Sequence, residues 1–324
     1  FYVALATIAL GNGLFLPSLP SQIDDLYEPG DPRVGWAYNV YYVGVNIGGF
    51  LAPLVCGWLG ETYGWHYGFG AAGIGMLAGV LIYVWGQRYL PATARHPAVE
   101  RGHAPTLRFG RSTILLLVAV ALSVTVFRGA YEQVGNTLPL WADTGVDKQV
   151  GGFAIPMTWF ISLNPLFVIL MTPPLLAWWR RRAERRGETM PTRRMAVGAL
   201  TVAAAYVLIA GVSAVWTNAA WTWLVLFFAV FTLGELFILP TGLGLFARLA
   251  PKGLGATTVA AWYLAIFAGS LFAGLVGTLW GRMSHPSYFL LLAAIAALAA
   301  LLLWLIDPRA HIAQDDGPSA SELS

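Results

Sequence analysis

TILLLVAVALSVTVFRGAYEQVGNTLPLW, residues 113–141, is an apolar run long enough to cross a bilayer, yet it carries Arg128 and Glu132. A charge at bilayer depth costs roughly 2.5–3.5 kcal/mol even on the lenient insertion scale, so it normally faces a partner or a wet cavity. Arg128 and Glu132 are four residues apart, hence on one helical face, where they can pair. Glu235 interrupts a second such run with no cation nearby on its own helix. Intramembrane charges of this kind mark an ion, proton or substrate path.

Working outward from 113–141, a membrane helix needs about 20 mostly apolar residues. Nine stretches qualify, near 1–23, 34–59, 65–87, 113–141, 155–179, 194–215, 219–247, 255–280 and 287–306. Charged residues make up 11% of the 324-residue chain and hydrophobic ones 57%, which leaves no polar segment long enough for a soluble domain. The runs do not alternate polar and apolar residues, which excludes barrel strands. We therefore expect an all-α polytopic membrane protein. The chain opens at Phe1 inside an apolar run, with neither the basic start nor the cleavage site of a signal peptide. It is expected to be N-terminally truncated.

Arginine placement predicts topology. Arg88, Arg95, Arg101, Arg108 and Arg111 crowd one loop, and Arg180, Arg181, Arg182, Arg185, Arg186, Arg193 and Arg194 another. Arg248, Lys252 and Arg309 fall on the same side, whereas the alternate loops hold only Lys148 and Arg282. By the positive-inside rule the first set is cytoplasmic. The net charge of +3 then reflects topology and contact with anionic lipid, with no case for nucleic acid. The predicted organisation is 1–87 as three helices of a first bundle and 88–112 as a cytoplasmic linker. Residues 113–306 form a six-helix bundle and 307–324 a polar cytoplasmic tail.

Several helices carry polar groups that lipid does not tolerate. Tyr42 and Asn46 share a face of the second span. Asn164 precedes Pro165, a helix breaker that frees a backbone carbonyl. Glu235 lies five residues before Pro240, and Trp262 with Tyr263 offers aromatic surface. Bland readings stand beside the functional ones. Glu132 either neutralises Arg128 as a structural pair or takes part in proton movement. Asn164 either bridges helices or binds substrate, and Tyr42 and Trp262 either pack or line a site. Small-residue spacings at Gly44/Gly48 and Gly75/Gly79 permit close helix contact. The chain contains no HExxH, Walker loop, Ser/His/Asp order or cysteine pair, Cys56 being its only cysteine. This argues against an enzyme, a metal site, a cofactor and ATP as the energy source.

YYVGVNIGGF (41–50) resembles the signature of the proton-dependent oligopeptide transporters of the major facilitator superfamily. So do GNGLFLP (11–17), YGWHYGFGAAGIGM (63–76), AYEQVGNTL (130–138), WFISLNP (159–165), GELFILPTGL (234–243) and AWYLAIFAG (261–269). The resemblance implies helices 4–12 of a twelve-helix core built from two six-helix bundles around a peptide-sized cavity. It further implies that Glu235 receives the peptide amino terminus with Asn46 and Asn164 nearby. Glu132 takes part in proton coupling, and Tyr42 and Trp262 line the pocket. The chain departs from the family pattern where Leu16 replaces a lysine, Arg128 an aromatic, Ile161 a glutamine and Leu239 a serine. The family's first-helix ExxER motif is absent, as a truncated chain would require. Arg128 is expected to supply the cation lost at Leu16.

The reading that follows is proton-coupled symport of di- and tripeptides by alternating access in the inner (plasma) membrane, by a monomer driven by the proton gradient. The alternatives are a family member carrying another small solute and a non-transporting membrane sensor or scaffold.

Overall fold

The computed structural model describes residues 2–15, 26–27, 33–89, 111–187, 189–249 and 255–315. The chain divides into two compact units, Phe1–Ala104 and Pro105–Ser324. Most of the expected linker, including residues 90–110, lies outside the described residues, as do Leu16 and the end of the tail.

The first unit contains α1 (Tyr2–Phe15), α2 (Arg33–Ala52), α3 (Trp58–Tyr63) and α4 (Trp65–Gly86). A π turn at Pro53–Gly57 joins α2 to α3 without breaking the helical path. Gly64, at φ 111°, then reverses the chain into α4, a conformation open to glycine at little cost. Gly68 lets α4 approach this corner, because a Cβ there would stand 2.5 Å from the Cys56 carbonyl oxygen. The expected contact glycines Gly44, Gly48, Gly75 and Gly79 have nothing within 4 Å of a would-be Cβ among the described residues. Spacing alone did not identify which small residues meet a neighbour.

The second unit contains α5 (Arg111–Tyr131), α6 (Thr137–Gly145), α7 (Met157–Ile161) and α8 (Leu163–Arg186). It continues with α9 (Pro191–Val215), α10 (Thr222–Arg248), α11 (Gly255–Gly277) and α12 (His285–Asp315). Two small pairings close one end. β1 (Val146–Asp147) runs parallel to β4 (Ala219–Ala220), and β2 (Gln149–Val150) pairs antiparallel with β3 (Phe153–Ala154). Gly151 and Gly152 turn that hairpin at φ 58° and 85°, as a two-residue turn with two left-handed positions requires.

Eight described stretches are long and apolar enough to cross a membrane, and the shorter apolar helix Tyr2–Gly11 stands where the first of nine spans is expected. Their outward faces are apolar, with Leu115, Leu200, Leu275 and Leu301 each at least half exposed. Continuous exposed leucine on so many helices suits hydrocarbon, not water. This is a multi-pass membrane protein.

The core of the second unit forms around α9, which packs on α10 and α12. Tyr206, Phe227, Phe231 and Phe289 are fully buried there and stack edge-on or face-on within 6.5 Å. Gly198 and Gly234 bring α9 and α10 together backbone to backbone. A Cβ on either would stand 2.6–2.7 Å from the other's carbonyl oxygen. Gly198→Val is therefore expected to cost about 1–3 kcal/mol, the usual penalty of overpacking. Gly211→Val on the same helix, with nothing within 4 Å, serves as control. Thermal unfolding in detergent reads the difference, and equal midpoints for the two variants would refute the close crossing.

Candidate substrate and proton site

Each charged or amide group of interest sits beside a helix irregularity with a local cause. Pro139 has no N–H to bond the Gly135 carbonyl, and the chain loosens from α5 into a 3-10 turn at Glu132–Gly135 before α6. Pro165 likewise cannot bond the Ile161 carbonyl, where α7 gives way to α8. In α10, Pro240 leaves the Leu236 carbonyl without its helical donor. These interruptions place Glu132, Asn164 and Glu235 beside relaxed backbone, on three different segments.

Glu235 is the centre of the arrangement. The Tyr131 hydroxyl donates to its Oε1 at 2.8 Å, and Asn164 Nδ2 donates to its Oε2 at 2.6 Å. Asn164 Nδ2 also lies 3.1 Å from Thr232 Oγ1, one turn earlier on the same face of α10. Both donors to Glu235 are neutral. Among the described residues no cation hydrogen-bonds or ion-pairs with this carboxylate.

Tyr131 connects it to the second carboxylate. The Tyr131 ring stacks on Phe231 at 5.3 Å, and the Arg128 guanidinium lies over the same ring, 4.9 Å from its centroid. Arg128 pairs with Glu132 through one terminal nitrogen and Oε1, and Ser270 Oγ donates to that oxygen at 3.2 Å. Arg128 is 13% exposed and Glu132 34%, so the pair is sheltered on one side and open on the other.

Neighbouring contacts hold this corner in place. Gln133, fully buried, donates to the Ala273 carbonyl at 2.8 Å and accepts from Thr137 and Tyr288 at 3.1 Å. The Tyr206 hydroxyl donates to the Ala130 carbonyl at 2.7 Å. One side chain on α9 and one on α12 therefore fix the end of α5.

Arg128, Glu132, Asn164 and Glu235 thus belong to one connected group. Trp262 stands apart from it. Its ring is 2% exposed, packs on Phe246 at 5.3 Å and occupies the space above Gly242, where a Cβ would stand 2.2 Å away. The expectation that Trp262 opens onto a pocket shared with Glu235 does not describe this arrangement, because the missing side chain at Gly242 gives the indole a seat between helices. Tyr42 and Asn46 belong to the first unit, where Asn46 Nδ2 donates to the Tyr42 carbonyl at 2.9 Å. Sequence reasoning missed Tyr131 and Thr232. Tyr131 lies inside the quoted motif, and Thr232 precedes Glu235 by one helical turn. No described group of three His, Cys, Asp or Glu side chains is arranged to hold a metal.

A family model described as the POT family matches residues 1–102 and 106–291. The peptide transporter YePEPT of Yersinia enterocolitica is 29% identical over 397 residues, covering 95% of this chain and 74% of that protein. The dipeptide and tripeptide permease A of Escherichia coli is 25% identical, covering 97% of this chain and 75% of its own. A crystal structure of a peptide transporter POT in complex with sulfate superposes with a TM-score of 0.86 at 24% identity, covering 97% of this chain and 75% of that one. A mutant of a transporter so described, in complex with alafosfalin, gives 0.84 at 25% identity, covering 96% and 75%.

Proposed function

Because this chain belongs to the POT family of transporters, which are not enzymes, and shares their major facilitator fold, we propose that it carries di- and tripeptides across the plasma membrane together with protons. The observation that carries this reading is the Glu235 carboxylate, held by Tyr131 and Asn164, which are both neutral. Such a carboxylate is oriented yet has no directly paired cation among the described residues, and an ammonium group is the natural complement for it. The peptide amino terminus takes that position, with Asn164 beside it; Asn46 and Tyr42 of the first unit are further substrate-binding residues of this reading.

Glu132, paired with Arg128 and half open, is the proton-coupling carboxylate, and Glu235 shares that role. Arg128 provides the cation that position 16 lacks. Transport proceeds by alternating access. The arginine distribution supports a cytoplasmic 88–112 linker and C-terminus. The protein works as a monomer in lipid, without a cofactor, driven by the proton gradient.

Reconstituted in proteoliposomes under an inward proton gradient, the protein should take up labelled dialanine saturably. Other di- and tripeptides should compete, and a protonophore should abolish accumulation. Uptake no greater than in protein-free vesicles would overturn the reading.

A further inference from the structure

The end of the second unit where α8 stops and α9 starts carries seven arginines against two glutamates between 180 and 194. One of those glutamates, Glu184, is already engaged with Arg180 at 3.2 Å. Two of the arginines lie over consecutive tryptophans of α8. The Arg194 guanidinium, from α9, stands 4.6 Å from the Trp179 ring centroid, and that of Arg182 stands 5.5 Å from Trp178. Phe237 of α10 braces Trp179 edge-on at 5.2 Å. Stacking uses the flat face of a guanidinium and by itself consumes none of its N–H donors, which point outward in its plane. Arg193 and Arg194 also lie close to the start of α9, whose first turn holds no acidic residue. The helix dipole opposes a cation there, and an anion offsets both.

Beside this cluster both helices present apolar faces. On α9, Arg193 heads an outward stripe that continues through Val197, Leu200 and Val207, each about half exposed. On α8, Leu170 and Trp178 lead to Arg181 and Arg185 in the same way. Residues at these spacings share a helical face. At about 1.5 Å per residue, Arg193 to Val207 spans about 20 Å of helix, enough to run from headgroup level through the roughly 15 Å of hydrocarbon in one leaflet. Aliphatic side chain, then indole, then guanidinium follows the polarity of a phospholipid from tail to phosphate.

We propose that the α8–α9 end of the second unit is a binding surface for anionic membrane phospholipid. The headgroup phosphate meets Arg193 and Arg194, in the field of Arg181, Arg182 and Arg185, and one acyl chain lies along Val197, Leu200 and Val207. Guanidinium suits the phosphate because its fork binds two oxygens at once. The excess of arginine over glutamate selects a headgroup of net negative charge and repels the choline cation of a zwitterionic lipid. The inference narrows the general attraction of basic loops for anionic lipid to one defined surface, and it is independent of the solute that the protein carries.

The test offers the purified protein equal amounts of dioleoylphosphatidylglycerol and dioleoylphosphatidylcholine in detergent and counts the retained lipid by native mass spectrometry. The wild type should retain phosphatidylglycerol over phosphatidylcholine by about tenfold or more, and Arg193→Gln with Arg194→Gln should bring the ratio to about threefold or less. The same pair changed to lysine, which keeps the charge but loses the fork, should fall between the two. Arg282→Gln lies three spans further on, hence at the opposite end, and should leave the ratio in place. A wild type without preference overturns the proposal. So does a ratio that the double glutamine variant leaves unchanged, or one that Arg282→Gln lowers as far. Inorganic phosphate in excess should not displace the bound lipid, because it brings no acyl chain. Full displacement would assign the surface to a free anion and overturn the lipid. Should the double variant not fold, Val197→Glu serves instead. It sets a carboxylate one turn from Arg193, where it pairs with that arginine and repels the phosphate. The ratio should again fall to about threefold or less, and an unchanged ratio would reject the surface.

Discussion

Glu235→Gln is expected to weaken peptide binding by roughly thirtyfold or more, since breaking a sheltered, hydrogen-bonded charge pair costs about 2–5 kcal/mol. The substitution keeps the size and shape of the side chain. Its amide oxygen still accepts from Tyr131, now as a neutral group. Its NH2, however, faces the Asn164 NH2 across what was a 2.6 Å bond, so one hydrogen bond is lost. That loss costs about 0.5–1.5 kcal/mol of stability, too little to unfold the bundle. Binding measured by calorimetry beside a thermal melt separates the two effects. An affinity within threefold of the wild type, with the melt unchanged, would remove Glu235 from the ammonium site.

Glu132→Gln should separate accumulation from exchange. Glutamine cannot take up and release a proton, whereas its amide oxygen can still accept from Ser270 and from Arg128. Gradient-driven uptake is therefore expected to fall by about tenfold or more, while exchange of peptide across vesicles at equal pH persists. The two assays use the same vesicles, so misfolding would abolish both. Gradient-driven accumulation at the wild-type level would mean that the proton travels by another group, leaving Glu132 a structural partner of Arg128. Loss of both activities with normal folding would instead tie Glu132 to the peptide site.

Much of this site was legible because its chemistry is local. Arg128 and Glu132 are visible as charges in an apolar run, and their spacing of one helical turn predicts the pair that forms. Asn164 stands out because Pro165 interrupts its helix, and Glu235 because nothing on its own helix neutralises it. Tyr131 was harder to see. A tyrosine in a membrane helix has many uses, and nothing in AYEQVGNTL tells that its hydroxyl reaches Glu235, 104 positions later. Gln133 ties the end of α5 to α11, through the Ala273 carbonyl, and to α12, through Tyr288, partners that no local pattern names.

The glycines make the same point. Gly44, Gly48, Gly75 and Gly79 have contact spacing, but the close crossing of α9 and α10 belongs to Gly198 and Gly234. The family resemblance implies that Trp262 lines a cavity, yet the space above Gly242 encloses it.

By itself the sequence determined the membrane class, the run of apolar helices and the identity of the charged groups. Hydrophobic length and the cost of an intramembrane charge are properties of a segment and its solvent, and they do not depend on which neighbour arrives. The tertiary structure decided which donors reach Glu235, which face of Tyr131 supports Arg128, and where Trp262 is buried. Those outcomes depend on how helices far apart in the chain cross, and a missing Cβ or a proline-loosened turn can redirect a side chain from one neighbour to another.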